Sequence, residues 1–202
     1  MNIKQSDKEK YLEEFRSVIE KKVKLRDEEW EEIRKLTVFR SFKKGATVVS
    51  EHDVEQWISY VGTGFLRGYF LKEGIEHTIA FTYSKNYCAS LGSFVSRRAS
   101  KYYIEALSDV VLLSISYDNM QLLYDQFKSV ERWGRLAAEE VLTGFEWRQA
   151  ELMSFTAEER YQLFVARSPE LIAKIPQKYL ASYLGMTPET FSRLRKLTLK
   201  NS

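Results

Sequence analysis

The residues whose types and spacing could do chemistry lie between Ile175 and Leu197. Pro176 suits a first helical turn, and Gln177 to Leu184 continues the helix. Gly185 follows, and then Thr187-Pro188-Glu189 opens a second helix, with Thr187 as N-cap and Pro188 as its first residue. Two helices joined by a turn of about three residues make a helix-turn-helix. Ala181 is small where the second helix must cross closely, and Gly185 supplies the positive φ of the turn. Leu180, Leu184, Met186, Phe191 and Leu194 are apolar at the positions that face a small core.

The exposed face of the second helix then reads Glu189, Thr190, Ser192, Arg193 and Lys196, with Gln177 and Lys178 opening the first. In a major groove a glutamate accepts from cytosine N4, and an arginine bonds guanine O6 and N7 bidentately. Hydroxyls and the helix start at Thr187 suit phosphate. The bland alternative is an i,i+4 ion pair between Glu189 and Arg193, worth ~0.2–0.5 kcal/mol on any helix surface. Net charge is only +3, but it is unevenly spread: Arg193, Arg195, Lys196 and Lys200 fall near the end of the chain with no acid among them. A basic end on a nearly neutral protein is an electrostatic footprint suited to phosphate.

The elements that must position this motif follow from periodicity. From about Ser6 to Thr37 two helical stripes appear, Tyr11-Phe15-Val18-Ile19 and Trp30-Ile33-Leu36, with Asp27 expected as N-cap of the second. From Val38 to Tyr117, short β-branched and aromatic runs alternate with Gly45, Asp53, Gly62, Gly64, Gly74, Asn86 and Gly92. Such spacing predicts an antiparallel sandwich or jelly roll. Helical period returns over Asp118–Ser154, where Ala137, Val141 and Gly144 form a seam expected to pack against a second copy. Thr156-Ala157-Glu158-Glu159 is a capping box that starts a new helix. The expected division is a sensor domain over 1–125, a long dimerisation helix over 126–155 and a helix-turn-helix domain over 156–202, with a hinge at Phe155–Thr156.

Bulk composition narrows the function. Hydrophobic residues make up 44% and charged residues 29%, as in ordinary globular proteins. Apolar runs fall far short of the ~20 residues that cross a bilayer, and the opening residues carry no signal-peptide pattern. A cytoplasmic protein without membrane contact is expected. One cysteine, Cys88, cannot make an intramolecular disulfide or an all-cysteine cluster. Two histidines, His52 and His77, are too few for a cupin-like metalloenzyme and make haem ligation a poor prospect. No Ser-His-Asp set, phosphate loop or CxxC is present, so no enzyme, metal or bound cofactor is expected.

A β-roll, a long helix and a C-terminal helix-turn-helix resemble the cyclic-AMP receptor protein/Fnr (Crp/Fnr) family of bacterial regulators. Lys44-Gly45, Tyr60-Val61 and Gly62-Thr63-Gly64 look like its opening roll strands, and Thr187 to Arg193 is similar to its recognition-helix signature. The resemblance implies an α+β fold with a cyclic-nucleotide-binding-like roll, and implies that Glu189 and Arg193 read bases. It implies double-stranded DNA, a second copy of the chain and RNA polymerase as partners. Pro188 stands where the family signature has an arginine, and with the sequence ending at Ser202 no trailing β-wing is expected. In nucleotide-binding members a Gly-Glu pair holds the ribose and an Arg-Ser pair the cyclic phosphate. Those positions align here with Ala89-Ser90 and Ser100-Lys101, and the base-contacting pair of the long helix with Phe145-Glu146. Loss of the bidentate arginine–phosphate contact predicts that cyclic AMP is not bound in the usual way. A ligand pocket, for an unidentified small-molecule effector, would be made of Ser90, Arg97, Arg98, Ser100, Lys101, Phe145 and Glu146. The alternative function is a ligand-binding or protein-interaction jelly roll that binds no DNA.

Overall fold

The computed structural model describes residues 3–200, with side chains through Thr198. The side chain of Lys200, counted above in the basic end, and the terminal residues on either side lie outside the described residues. The chain divides into two compact units. One comprises the residues up to Tyr69 together with Phe81–Glu139; the other comprises Phe70–Ala80 and the residues from Glu140 onward.

Helices α1 (Gln5–Glu20) and α2 (Asp27–Leu36) precede eight strands among the described residues, which lie in the first unit except for the Phe70–Ala80 tip of the β4–β5 hairpin. These are β1 (Val38–Phe42), β2 (Thr47–Val49), β3 (Trp57–Thr63), β4 (Phe65–Lys72), β5 (Ile75–Tyr83), β6 (Tyr87–Cys88), β7 (Tyr103–Ala106) and β8 (Val110–Ser116). They form two four-stranded sheets, ordered β1-β8-β3-β6 and β2-β7-β4-β5. A short helix, α3 (Leu91–Ser96), lies between β6 and β7. The expected β-roll is therefore present.

Strand β8 explains the architecture. Its run Val110-Val111-Leu112-Leu113-Ser114-Ile115 is buried throughout, because successive side chains alternate between two covered faces. Leu113 and Ile115 join a core with Leu12, Phe15, Ile19, Trp30 and Ile33 of the N-terminal helices. Val110 and Leu112 turn to a second core with Val61, Leu66, Ile104 and Cys88. Burial of each such aliphatic side chain contributes about 1.5–3 kcal/mol.

Helix α2 is capped one residue earlier than expected. Arg26 occupies the N-cap position and Asp27 is already helical. The reason is Glu29, whose buried carboxylate accepts the Arg26 backbone N–H at 2.7 Å and the Ser129 hydroxyl at 2.6 Å. Burial alone would raise the Glu29 pKa, but these donors and the Arg26 guanidinium hold it below the usual range.

The stretch read as one helical run over Asp118–Ser154 is broken at Phe127. Helix α4 covers Tyr117–Gln126 and α5 covers Lys128–Ser154. Phe127 adopts an extended conformation and is buried in the helical core, so tertiary packing overrides the helical period there. Gly134 then lets α5 pass Tyr124 of α4, since a Cβ at that position would overlap the tyrosine ring.

The second unit contains the later part of α5, then α6 (Ala157–Arg167), α7 (Pro169–Lys174), α8 (Gln177–Tyr183) and α9 (Pro188–Lys200). The predicted capping box at Thr156 forms, with Glu159 reaching back to the Thr156 N–H at 2.8 Å. The expected hinge is thus a capped helix start inside this unit. The tip of the β4–β5 hairpin belongs to the same unit. It turns at Glu73-Gly74, both at positive φ, as a two-residue hairpin turn requires. The Thr78 N–H donates to the Ser182 hydroxyl of α8 at 2.9 Å, and that hydroxyl donates to the Glu76 carbonyl at 3.3 Å.

Candidate nucleic-acid interface

Helices α8 and α9 pack around Leu180, Ala181, Leu184, Phe191 and Leu194, all buried as expected, with Tyr161 edge-on to Phe191. Met186 is half-buried. Gly185 takes φ +64°, a region where a side chain costs about 1–2 kcal/mol. The Thr187 hydroxyl accepts the Thr190 N–H at 3.2 Å and approaches the Thr190 hydroxyl at 3.3 Å. These two hydroxyls secure the start of α9, which is what an N-cap does.

Of the remaining predicted residues, all but Lys178 converge. Gln177, Pro188, Glu189, Ser192, Arg193 and Lys196 line one open concavity of about 820 Å³ on the face of the motif. Glu189 does not pair with Arg193. Its own backbone N–H and the Thr187 hydroxyl hold the Glu189 carboxyl below the ordinary range, so the carboxylate turns back on the helix start. Arg193 and Lys196 are exposed and make no hydrogen bond or ion pair among the described residues. Lys178 sits apart from that concavity, its ammonium 4.7 Å from the Tyr179 ring centre. Two further cations of this C-terminal segment are committed within the chain. Arg160 donates to the carbonyls of Phe155, Leu184 and Gly185, at 2.5, 2.8 and 3.1 Å. Arg167 is bound to Glu151 at 2.8 Å.

Sequence reasoning missed the polar brace beneath the motif. Glu151 of α5 is 1% exposed and also receives Arg148 at 3.3 Å. Arg148 stacks 4.1 Å from the centre of the Tyr183 ring and donates to the Tyr183 carbonyl. The motif is thereby tied to α5 through the C-terminal end of α8. Only the i,i+3 spacing of Arg148 and Glu151 hinted at this, and such pairs are common on any helix.

The residues expected around a ligand in the roll are placed differently from one another. Ser90 and Ser100 are buried and their hydroxyls lie 2.9 Å apart; the Ser100 hydroxyl also donates to the Tyr102 carbonyl at 2.7 Å. Arg97 donates to the Glu55 carbonyl at 2.6 Å, the Phe94 carbonyl at 3.2 Å and Gln56 Oε1 at 2.7 Å. Its guanidinium lies 4.0 Å from the Tyr117 ring centre. Arg98 and Lys101 are exposed. Phe145 and Glu146 are exposed on α5 and belong to the second unit. The buried residue at the centre of the Ser90 cluster is Glu55, which the sequence did not single out. Its carboxylate accepts the Trp57 N–H at 3.0 Å and the Ser90 N–H at 3.2 Å. Burial pushes its pKa up against the pull of these amides and of Arg40.

Residues 39–127 match the family model of the cyclic nucleotide-binding domain. No curated protein matches the chain. Among solved structures, FixK2 from Bradyrhizobium japonicum is 20% identical over 82% of this chain and 85% of that one, with a TM-score of 0.73. A transcriptional regulator of the Crp/Fnr family from Eubacterium rectale is 19% identical over 87% and 85%, with a TM-score of 0.66. The catabolite activator protein of Thermus thermophilus is 20% identical over 88% and 85%, with a TM-score of 0.55. At such identities the likeness is one of fold. Residues 39–127 are thus similar to the cyclic nucleotide-binding domain, and the fold of the chain is that of the Crp/Fnr regulators.

Proposed function

We propose that this chain is a sequence-specific DNA-binding transcription regulator of the Crp/Fnr family, acting in the cytoplasm as a homodimer and without response to cyclic AMP. The observation that carries the reading is the convergence of Gln177, Glu189, Ser192, Arg193 and Lys196 on one open face of a helix-turn-helix, with both cations free of intramolecular ion pairs among the described residues. Such donors and acceptors, held on a rigid helix, suit base edges and phosphates.

Dimerisation is supported by α5. Leu142, Phe145 and Leu152 are 60%, 54% and 45% exposed and fall with Gln149 at alternating three- and four-residue steps. That spacing is the seam of a two-helix packing. In this reading residues 1–125 are the sensor, 126–155 the dimerisation helix and 156–202 the DNA-reading domain. Two recognition helices would then meet half-sites ~34 Å apart on a near-palindromic site.

The test is selection of bound sequences from a random duplex pool, with Arg193→Ala beside the parent. A palindromic motif is expected, with the variant ~5- to 150-fold weaker on it, corresponding to the ~1–3 kcal/mol of a bidentate base contact. Affinity should fall steeply with salt. Absence of enrichment at low salt would favour a ligand-binding or protein-interaction roll instead.

A further inference from the structure

We infer that Glu55 is a built-in anionic ligand of the roll: its carboxylate fills, from within the chain, the polar cluster around Ser90 and Ser100, so that this domain is complete without a bound nucleotide. The inference concerns the roll alone and does not depend on DNA binding.

Three observations carry it. First, Glu55 is held as a ligand is held rather than as a surface acid. It is 5% exposed, and its two carboxylate oxygens receive one backbone N–H each, from Trp57 and from Ser90. The rest of the residue is used as well. Its own N–H donates to the buried Ser93 hydroxyl at 2.9 Å, and its carbonyl accepts Arg97 at 2.6 Å. One residue thereby fixes the start, middle and end of the segment Ser90–Arg98 that carries α3.

Second, the polar groups of that segment are already paired with one another. The Ser93 hydroxyl donates to the Arg98 carbonyl at 2.5 Å, and the Ser90 and Ser100 hydroxyls are joined to each other. The Tyr102 hydroxyl donates to the Ala89 carbonyl at 3.4 Å. A phosphate arriving here would have to displace bonds already made within the chain, and it would meet the negative charge of Glu55 in a poorly screened place.

Third, the two cations nearest Glu55 are already committed within the chain. Arg97 spends its donors on two carbonyls and Gln56 and lies flat on Tyr117. Arg40 is stacked at 5.1 Å from the ring centres of both Phe42 and Trp57 and serves Glu55 as a nearby counter-charge. The residues at the two positions where the family grips its nucleotide are thus serines bonded to each other, with a carboxylate of the chain in the place of an external anion.

Thermal unfolding of the full chain tests this without DNA. The parent protein should show no shift in melting temperature with cyclic AMP, cyclic GMP or cyclic di-GMP; a saturable rise with any of them overturns the inference, because a ligand of the native state raises stability by mass action. Glu55→Ala should melt several degrees lower. Acetate or formate, small carboxylates able to re-enter the vacated place, should restore part of that loss beyond what chloride does at equal ionic strength. Leu66→Ala, destabilised by a cavity in the roll instead, should gain nothing from acetate over chloride. An unchanged melting temperature in Glu55→Ala, or equal recovery in chloride or in the Leu66 variant, overturns the inference. If Glu55→Ala does not fold, Glu55→Gln tests the charge alone, since its amide leaves no room for acetate. It keeps one carbonyl acceptor and should melt several degrees below the parent with the parent's indifference to nucleotides; a Gln variant as stable as the parent overturns the inference.

Discussion

Replacing Glu151 by Gln removes the charge at the base of the α8–α9 pair and leaves its shape. The carboxylate is 1% exposed, with Arg148 at 12% side-chain exposure and Arg167 at 44%. Removing one partner of a buried pair costs ~3–5 kcal/mol when the group left behind is buried too. Here Arg167 reaches solvent and recovers water, so its share is discounted to that of a surface pair, ~0–1 kcal/mol. Arg148 keeps the Tyr183 carbonyl and ring but loses its only carboxylate, which makes a net loss of about 2–3 kcal/mol reasonable for a charged hydrogen bond gone from a buried site. For a chain of this size that is roughly 4–12 °C in melting temperature. The pH dependence follows from the same partners. Burial alone would raise the Glu151 pKa, but Arg167 and then Arg148 outweigh it and hold the carboxyl below its usual range. A carboxyl whose folded pKa is depressed contributes stability above its unfolded pKa, ~4.3, and loses it as pH falls through the folded value. Urea unfolding followed by circular dichroism should therefore show the full difference between parent and Gln variant at pH ~7, and a shrinking one below pH ~4. A difference under ~0.5 kcal/mol at neutral pH, or one of equal size at both, would refute the assignment.

Phe145→Glu places a charge in the middle of the exposed seam of α5. In the proposed homodimer, dissociation should rise ~10- to 100-fold, about 1.4–2.7 kcal/mol, with little change in monomer stability because Phe145 is 54% exposed; light scattering after size exclusion reads the first and melting at low concentration the second. An unchanged dimer would remove α5 as the contact. Cys88 is buried and its thiol is pushed up to about 12, by burial first and then by Glu55, so the thiolate fraction at pH 8 is on the order of one in ten thousand. Ellman's reagent should label it only as fast as the protein opens; stoichiometric labelling of the native protein would contradict that burial.

Much of the fold follows from local rules. The capping box at Thr156, the N-cap at Thr187 and the positive φ of Gly185 each follow from one residue's conformational preference. The alternation of glycine and β-branched runs over Val38–Tyr117 marks the roll for the same reason. What stayed hidden depends on residues far apart in the chain. Glu55 meets Ser90 across 35 positions, and no periodicity distinguishes it from Glu51 or Asp53 nearby. Arg67, 1% exposed, finds Glu105 directly opposite on β7 at 2.7 Å, and only the strand register brings the two together. Phe127 ends one helix because the core needs its ring, a demand that the helical pattern around it does not express. In the candidate interface the shared face of Glu189, Ser192, Arg193 and Lys196 was readable, since a helix face is a local object, whereas the separation of Lys178 was not. Which cations remain available was not, because the commitments of Arg160 and Arg167 are tertiary.

The contact between the β4–β5 hairpin tip and Ser182 joins residues 104 positions apart. During synthesis the hairpin leaves the ribosome long before its partner: at ~5–20 residues per second the interval is about 5–20 s. Through that time Ile75, still 60% exposed in the finished protein, and the Thr78 amide have no helix α8 to meet. The hairpin tip is therefore without that partner at birth, and α8, among the last helices to emerge, supplies it. A truncation in the C-terminal helices would be felt in the middle of the chain, where a strand tip would be left waiting for a partner that never arrives.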